Sequence, residues 1–86
     1  MKPKRKKTAL VTGGSSGIGR CTASALSQSG YTVYEFSRRD IPIKGVKHMS
    51  VDVTNEASVQ AAVEQILRER GSIEILVNCA GFGISG

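Results

Sequence analysis

Thr12-Gly13-Gly14-Ser15-Ser16-Gly17-Ile18-Gly19 is the stretch on which the reading of this 86-residue chain turns. Before it stands Thr8-Ala9-Leu10-Val11-Thr12, a short apolar run with β-branched residues. Such a run reads as a strand buried on both faces of a parallel sheet. After it come Ile18, Cys21, Thr22, Ala25 and Leu26, spaced as one face of a helix. Gly30 then stands where a helix commonly closes with positive φ. Glycines between a strand and a helix let the backbone turn sharply and approach a phosphate with no Cβ in the way. The helix N-terminus adds N–H donors and a partial positive charge. The spacing is Gly-x-x-x-Gly-x-Gly, not the Gly-x-Gly-x-x-Gly of the commonest dinucleotide fingerprint. A P-loop is excluded because Arg20, not Lys, follows the last glycine. The plain alternative is a glycine-rich turn that binds nothing.

Outward from this turn the pattern continues. Thr32-Val33-Tyr34-Glu35-Phe36-Ser37 is a second strand by its β-branched and aromatic content, and His48-Met49-Ser50-Val51-Asp52-Val53 a third. Residues 39–47 contain Pro42 and Gly45 and are too short and broken for a crossover helix, so a loop or single turn is expected there. Thr54 is the expected N-cap of a second helix, with Glu56 in its first turn. Val59, Ala62, Val63, Ile66 and Leu67 form that helix's apolar stripe, Arg68 and Arg70 suit its last turn, and Gly71 closes it. Ile73-Glu74-Ile75-Leu76-Val77-Asn78 is the fourth strand. Alternation of strand and helix predicts an α/β fold with a parallel, Rossmann-like sheet. Right-handed crossovers favour the strand order 3-2-1-4. A ligand crevice then lies at the C-terminal ends of the first and fourth strands.

Composition bounds the function. Lys2, Lys4, Arg5, Lys6 and Lys7 carry the net charge of +5, and without them seven basic residues face seven acidic ones. The basic character belongs to a tail over residues 1–7, read as disordered, and residues 8–86 form the folded unit. The aromatics Tyr31, Tyr34, Phe36 and Phe82 do not interleave with the tail, which argues against a nucleic-acid platform. No apolar run approaches the ~20 residues of a membrane helix, and the reading is a cytoplasmic protein. Cys21 and Cys79 form no Cys-x-x-Cys unit and His48 is the only histidine, so reduced thiols and no metal are expected.

The glycine stretch, Val51-Asp52-Val53 and Asn78-Cys79-Ala80-Gly81 stand in the order seen in the short-chain dehydrogenase/reductase family, which this chain resembles from about Thr8 to its last residue. The family's motifs are Thr-Gly-x-x-x-Gly-Ile-Gly, Asp-Val and Asn-Asn-Ala-Gly. The resemblance implies that Gly13, Gly17 and Gly19 shape the turn and that Ser15, Ser16 and Ile18 contact ribose and phosphate. It implies that Asp52 accepts from the adenine amino group, that Val53 adds backbone contacts, and that Asn78, Ala80 and Gly81 border the cofactor. Cys79 replaces the second Asn and reads as a packing residue.

Charge bears on which cofactor. NAD sites place a carboxylate at the end of the second strand. Here Ser37 stands there, followed by Arg38 and Arg39. A carboxylate would repel the 2′-phosphate of NADP, whereas a guanidinium binds it with two hydrogen bonds, so NADP(H) is the expected cofactor. The family's catalytic Ser, Tyr-x-x-x-Lys and Asn would follow the fourth strand. Tyr31 is followed four residues on by Glu35 and Tyr34 by Arg38, so no catalytic residue is assigned. The expected parent protein moves a hydride between NADP(H) and a small carbonyl or alcohol substrate. The alternative is a naturally short, non-catalytic NADP-binding module. An apolar strand edge at Ile75, Leu76 and Val77 predicts self-association into a homo-oligomer, or cover by further chain. Glu35, inside a strand, must reach solvent or find a cation.

Overall fold

The computed structural model describes residues 6–13, 17–38 and 43–78. Four strands and two helices follow in the order β1 (Thr8–Thr12), α1 (Gly17–Gln28), β2 (Thr32–Ser37), β3 (Val46–Ser50), α2 (Glu56–Arg70) and β4 (Ile75–Asn78). The strands form one parallel sheet in the order β3-β2-β1-β4, as the short connections require. Each helix covers one face. Alternate residues of the strands divide between two apolar clusters. Leu10, Tyr34, Phe36 and Val51 pack with Ala62 and Ile66 of α2. Ala9, Val11 and Val33 pack with Ala23 of α1.

Four details depart from the sequence expectations. The expected third strand, 48–53, runs instead from Val46 to Ser50. Its ladder with β2 begins at Val33↔Val46, directly after Gly45, and ends at Ser37↔Ser50 because β2 ends there. β4 likewise starts at Ile75, where its ladder with β1 opens at Ala9. The N-cap of α2 is Asn55, not Thr54. Asn55 is extended and its side-chain oxygen accepts from Ser58 N at 3.2 Å, while the Thr54 hydroxyl is taken by Asp52. On α1 the buried positions are Gly19 and Ala23, and Ile18 is 77% exposed. Small residues let the helix backbone lie close to the sheet, which turns Ile18, Cys21 and Ala25 outward.

Tyr34 is a buried core residue. Its hydroxyl donates to Glu69 of α2 at 2.9 Å, and Lys47 lies over its ring. Burial and then the Glu69 carboxylate raise the Tyr34 pKa, and the same bond lowers that of Glu69. The start of β1 is fastened by Arg70, which donates to Thr8 Oγ1 and to the Lys6 carbonyl, and by Glu74, which accepts from Thr8 N at 2.7 Å. Residues 1–5 of the expected tail lie outside the described residues; Lys6 and Lys7 are exposed.

Phe36 is fully buried at the centre of the α2-side cluster. Phe36→Ala is expected to cost about 3–5 kcal/mol, from lost transfer energy and the cavity left behind. That is a large share of the roughly 5–15 kcal/mol that holds a typical domain. Urea denaturation would show it as a lower midpoint at similar slope.

Candidate cofactor site at the strand ends

Every described residue that the sequence assigns to the site lies at one edge, where the strands end. Gly13 follows β1, Ser37 and Arg38 close β2, Asp52 and Val53 follow β3, and Asn78 ends β4. Gly17, Ile18 and Gly19 form the first turn of α1. Ser15, Ser16, Arg39, Ala80 and Gly81, with Cys79, lie outside the described residues. The chain reverses direction of growth here: β1 leads through α1 to β2 on one side, and β4 pairs β1 on the other. Such a switch point opens a crevice at the carboxyl ends of the strands.

Local chemistry holds this edge in shape. Gly13 has φ 75°, which a side chain would strain, and its N–H donates to the Phe36 carbonyl at 3.0 Å. Thr12 Oγ1 donates to Asn78 Oδ1 at 2.9 Å and ties the ends of β1 and β4. Asp52 Oδ1 accepts from Thr54 N at 3.0 Å and from Thr54 Oγ1 at 2.6 Å. The hydroxyl bond first, then the backbone bond, hold the Asp52 carboxyl below the usual carboxylate range. The nearby Arg38 charge adds a smaller lowering. Asp52 therefore stays an acceptor at neutral pH, and its ionised form is lost only as pH falls below that range. Arg38 itself is exposed.

Below the edge, on the α2 side, an apolar cavity of about 220 Å³ is lined by Leu10, Thr12, Phe36, Val53, Val59, Val63, Leu76 and Asn78. Its walls suit a flat uncharged ring better than a phosphate. At the head of α1, no atom of the described residues beyond its own turn lies within 4 Å of where a Cβ on Gly17 would stand. The first turn of α1 carries no acidic side chain. Space for a ligand beside a helix N-terminus, an ionised acceptor with a neighbouring guanidinium, and an apolar pocket together fit a dinucleotide.

The sequence reading missed three contributors: Thr12, Thr54 and Phe36. Asp-x-Thr was the available signal for Thr54, since such a pair closes a local side-chain turn. Among the described residues no group of three or more His, Cys, Asp or Glu could hold a metal ion. No described helix is long and apolar enough to cross a membrane, and Cys21 is a free, exposed thiol.

A parallel sheet in this order, with a glycine turn at the switch point, defines the Rossmann-like class of α/β proteins. The chain belongs to the short chain dehydrogenase family, whose model matches residues 7–86. It is 50% identical over 78 residues to a 3-ketodihydrosphingosine reductase of Bacteroides thetaiotaomicron, covering 90% of this chain and 29% of that protein. Among solved structures it resembles ligand-free aldohexose dehydrogenase of Thermoplasma acidophilum, with a TM-score of 0.85 and 41% identity over 91% of this chain and 31% of that one. It also resembles a 3-ketoacyl-(acyl-carrier-protein) reductase of Brucella melitensis complexed with NADH, with a TM-score of 0.71 and 31% identity over 84% of this chain and 33% of that one. The chain thus spans about a third of the length of such relatives. The family is one of oxidoreductases that use a nicotinamide dinucleotide.

Proposed function

We propose that residues 8–86 are the NADP(H)-binding portion of a cytoplasmic, homo-oligomeric oxidoreductase that reduces a ketone or oxidises the matching alcohol, preceded by a basic segment over residues 1–7 whose last two residues, Lys6 and Lys7, are tied to the fold through their carbonyls. The observation that carries the choice of cofactor is at the end of β2. The strand ends on Ser37 where a 2′-phosphate would meet a repelling carboxylate in an NAD site, and Arg38 follows. Arg38 lies near enough to Asp52 for its charge to be felt there. A guanidinium so placed can take the 2′-phosphate while Asp52 accepts from the adenine amino group. Gly13, Gly17 and Gly19 let the pyrophosphate approach the α1 N-terminus, with Ser15, Ser16 and Ile18 beside the ribose and phosphates. Val53 and Asn78, which line the cavity, border the adenosine, and the family resemblance assigns Ala80 and Gly81 to the cofactor, with Arg39 a second cation for the phosphate.

When bound, the nicotinamide supplies the hydride. This chain's residues bind and orient it. The proton on the substrate oxygen needs an acid–base pair. Tyr-x-x-x-Lys does not occur in these 86 residues, so the chain alone is expected to be inactive. Likeness to a 3-ketodihydrosphingosine reductase favours a ketone on a long aliphatic chain as substrate. The test is NADPH oxidation by the full-length protein against a panel of aliphatic and cyclic ketones. Turnover faster with NADPH than with NADH is the expected result. Binding of NADPH without turnover of any ketone would favour a non-catalytic binding module instead.

A further inference from the structure

Glu35 is the only acidic side chain among the described residues that is buried, at 1% exposure. It sits on β2 directly opposite His48 of β3, on the face that packs against α1. His48 Nδ1 and Glu35 Oε1 share a hydrogen bond at 2.7 Å. The remaining polar atoms, Glu35 Oε2 and His48 Nε2, are buried without a hydrogen-bond partner among the described residues. Stability does not explain this arrangement. Unsatisfied buried polar atoms carry a desolvation penalty, and apolar residues of similar volume often hold a fold as well or better. What a hydrogen-bonded pair adds over an apolar one is a defined geometry between the two strands.

That geometry lies next to the site. One residue beyond Glu35, the Phe36 carbonyl accepts from Gly13 N; one further, the Ser37 carbonyl accepts from Val51 N at 3.1 Å. Ser37↔Ser50 is the last rung of the ladder. Past it the strands part, β2 into Arg38 and β3 into Asp52 and Val53. We propose that Glu35 and His48 are positioning residues for the adenosine end of the dinucleotide site: their buried bond fixes the last rungs of β2 and β3, and so sets the relation of Ser37-Arg38 to Asp52-Val53 that a 2′-phosphorylated adenosine requires. The proposal rests on the reading of Arg38 as the 2′-phosphate ligand. β3 is an edge strand with no further neighbour on its outer side among the described residues, so this bond restrains an edge that the ladder holds from one side only.

The test uses the full-length protein, with calorimetric titration of NADPH and NADH and thermal melting of each variant. Glu35→Leu with His48→Leu removes the bond and both orphaned polar atoms. It is expected to melt at or above the wild-type temperature, yet bind NADPH about tenfold more weakly, with a smaller loss for NADH. His48→Asn places an amide nitrogen where Nδ1 stands and is expected to keep NADPH affinity within about threefold of wild type. Should the double leucine variant not fold, Glu35→Gln with His48→Leu breaks the same bond without burying a charge, and the same loss is expected. Wild-type NADPH affinity in the bond-breaking variant, or equal losses for both cofactors that follow the fall in melting temperature, overturns the proposal. Arg38→Ala is the reference. If it weakens NADPH and the bond-breaking variant does not, the positioning role alone fails. If Arg38→Ala leaves NADPH affinity unchanged, the phosphate reading fails and the positioning role with it.

Discussion

Gly17→Val is expected to abolish dinucleotide binding while leaving the chain folded. The two halves of that expectation have separate causes. Gly17 opens α1 with no positive φ, and a Cβ there would meet no atom of the described residues beyond its own turn within 4 Å. A Cβ at this position therefore meets no atom of the described residues beyond its own turn, and it strains no backbone. The space it fills is the space beside the first turn of α1, where the pyrophosphate would approach the helix N–H groups. Hydrogen bonds to charged groups contribute about 1.5–3 kcal/mol each, and the helix terminus adds up to about 2 kcal/mol in a partly buried site. Loss of even one such bond with the terminus contribution weakens affinity by roughly a hundredfold or more. Calorimetric titration of NADPH into a variant with a wild-type melting curve decides the matter. Retained affinity would show that the phosphates bind elsewhere.

Arg38→Ala is expected to lower NADPH affinity by about 10- to 100-fold, and NADH affinity by no more than about threefold. The first figure is the value of a single charge-assisted hydrogen bond to a phosphate, about 1.5–3 kcal/mol, since at an exposed guanidinium water competes for the second. The second follows because NADH has no 2′-phosphate for the guanidinium to hold. Arg38 is exposed, so its removal leaves the core untouched. It also relieves Asp52 of a nearby positive charge, but the two Thr54 bonds dominate there and keep that carboxyl ionised at neutral pH. Arg38→Lys is a sharper companion: an ammonium keeps the charge but loses the two-pronged geometry, and should fall between the two. Equal losses for the two cofactors in Arg38→Ala would remove this residue from the phosphate site. Likeness to a reductase complexed with NADH makes the direct comparison of the two cofactors the decisive measurement.

Much of this protein was legible before any coordinates. Apolar runs of strand length alternating with one helical periodicity determined four strands, two helices and a parallel sheet. Short right-handed connections determined the order 3-2-1-4, which the structure has. The glycines at the turn and at the helix ends were legible because each meets a particular backbone demand: φ is 75° at Gly13, 96° at Gly30 and 90° at Gly71. Those are local demands, and a sequence carries local demands openly.

Other features were decided only by what the tertiary fold brings together. The 3.6-residue period drew the apolar stripe of α1 through Ile18, Cys21, Thr22, Ala25 and Leu26; Leu26 packs against the sheet, but close approach of helix to sheet selects the smallest side chains, and Gly19 and Ala23 took the buried positions. Thr54 reads as a good N-cap until Asp52 captures its hydroxyl, and the cap passes to Asn55. Glu35 read as a carboxylate in need of a partner; only the register of β2 against β3 supplied His48, thirteen residues away. Arg38 and Asp52 likewise come near each other because two parallel strands end at the same level. The period of a helix or strand is written in one segment of chain, and so the sequence by itself determined the elements and their order. Which face is buried, and which side chains meet, depends on distances between segments, and these exist only once the sheet has formed.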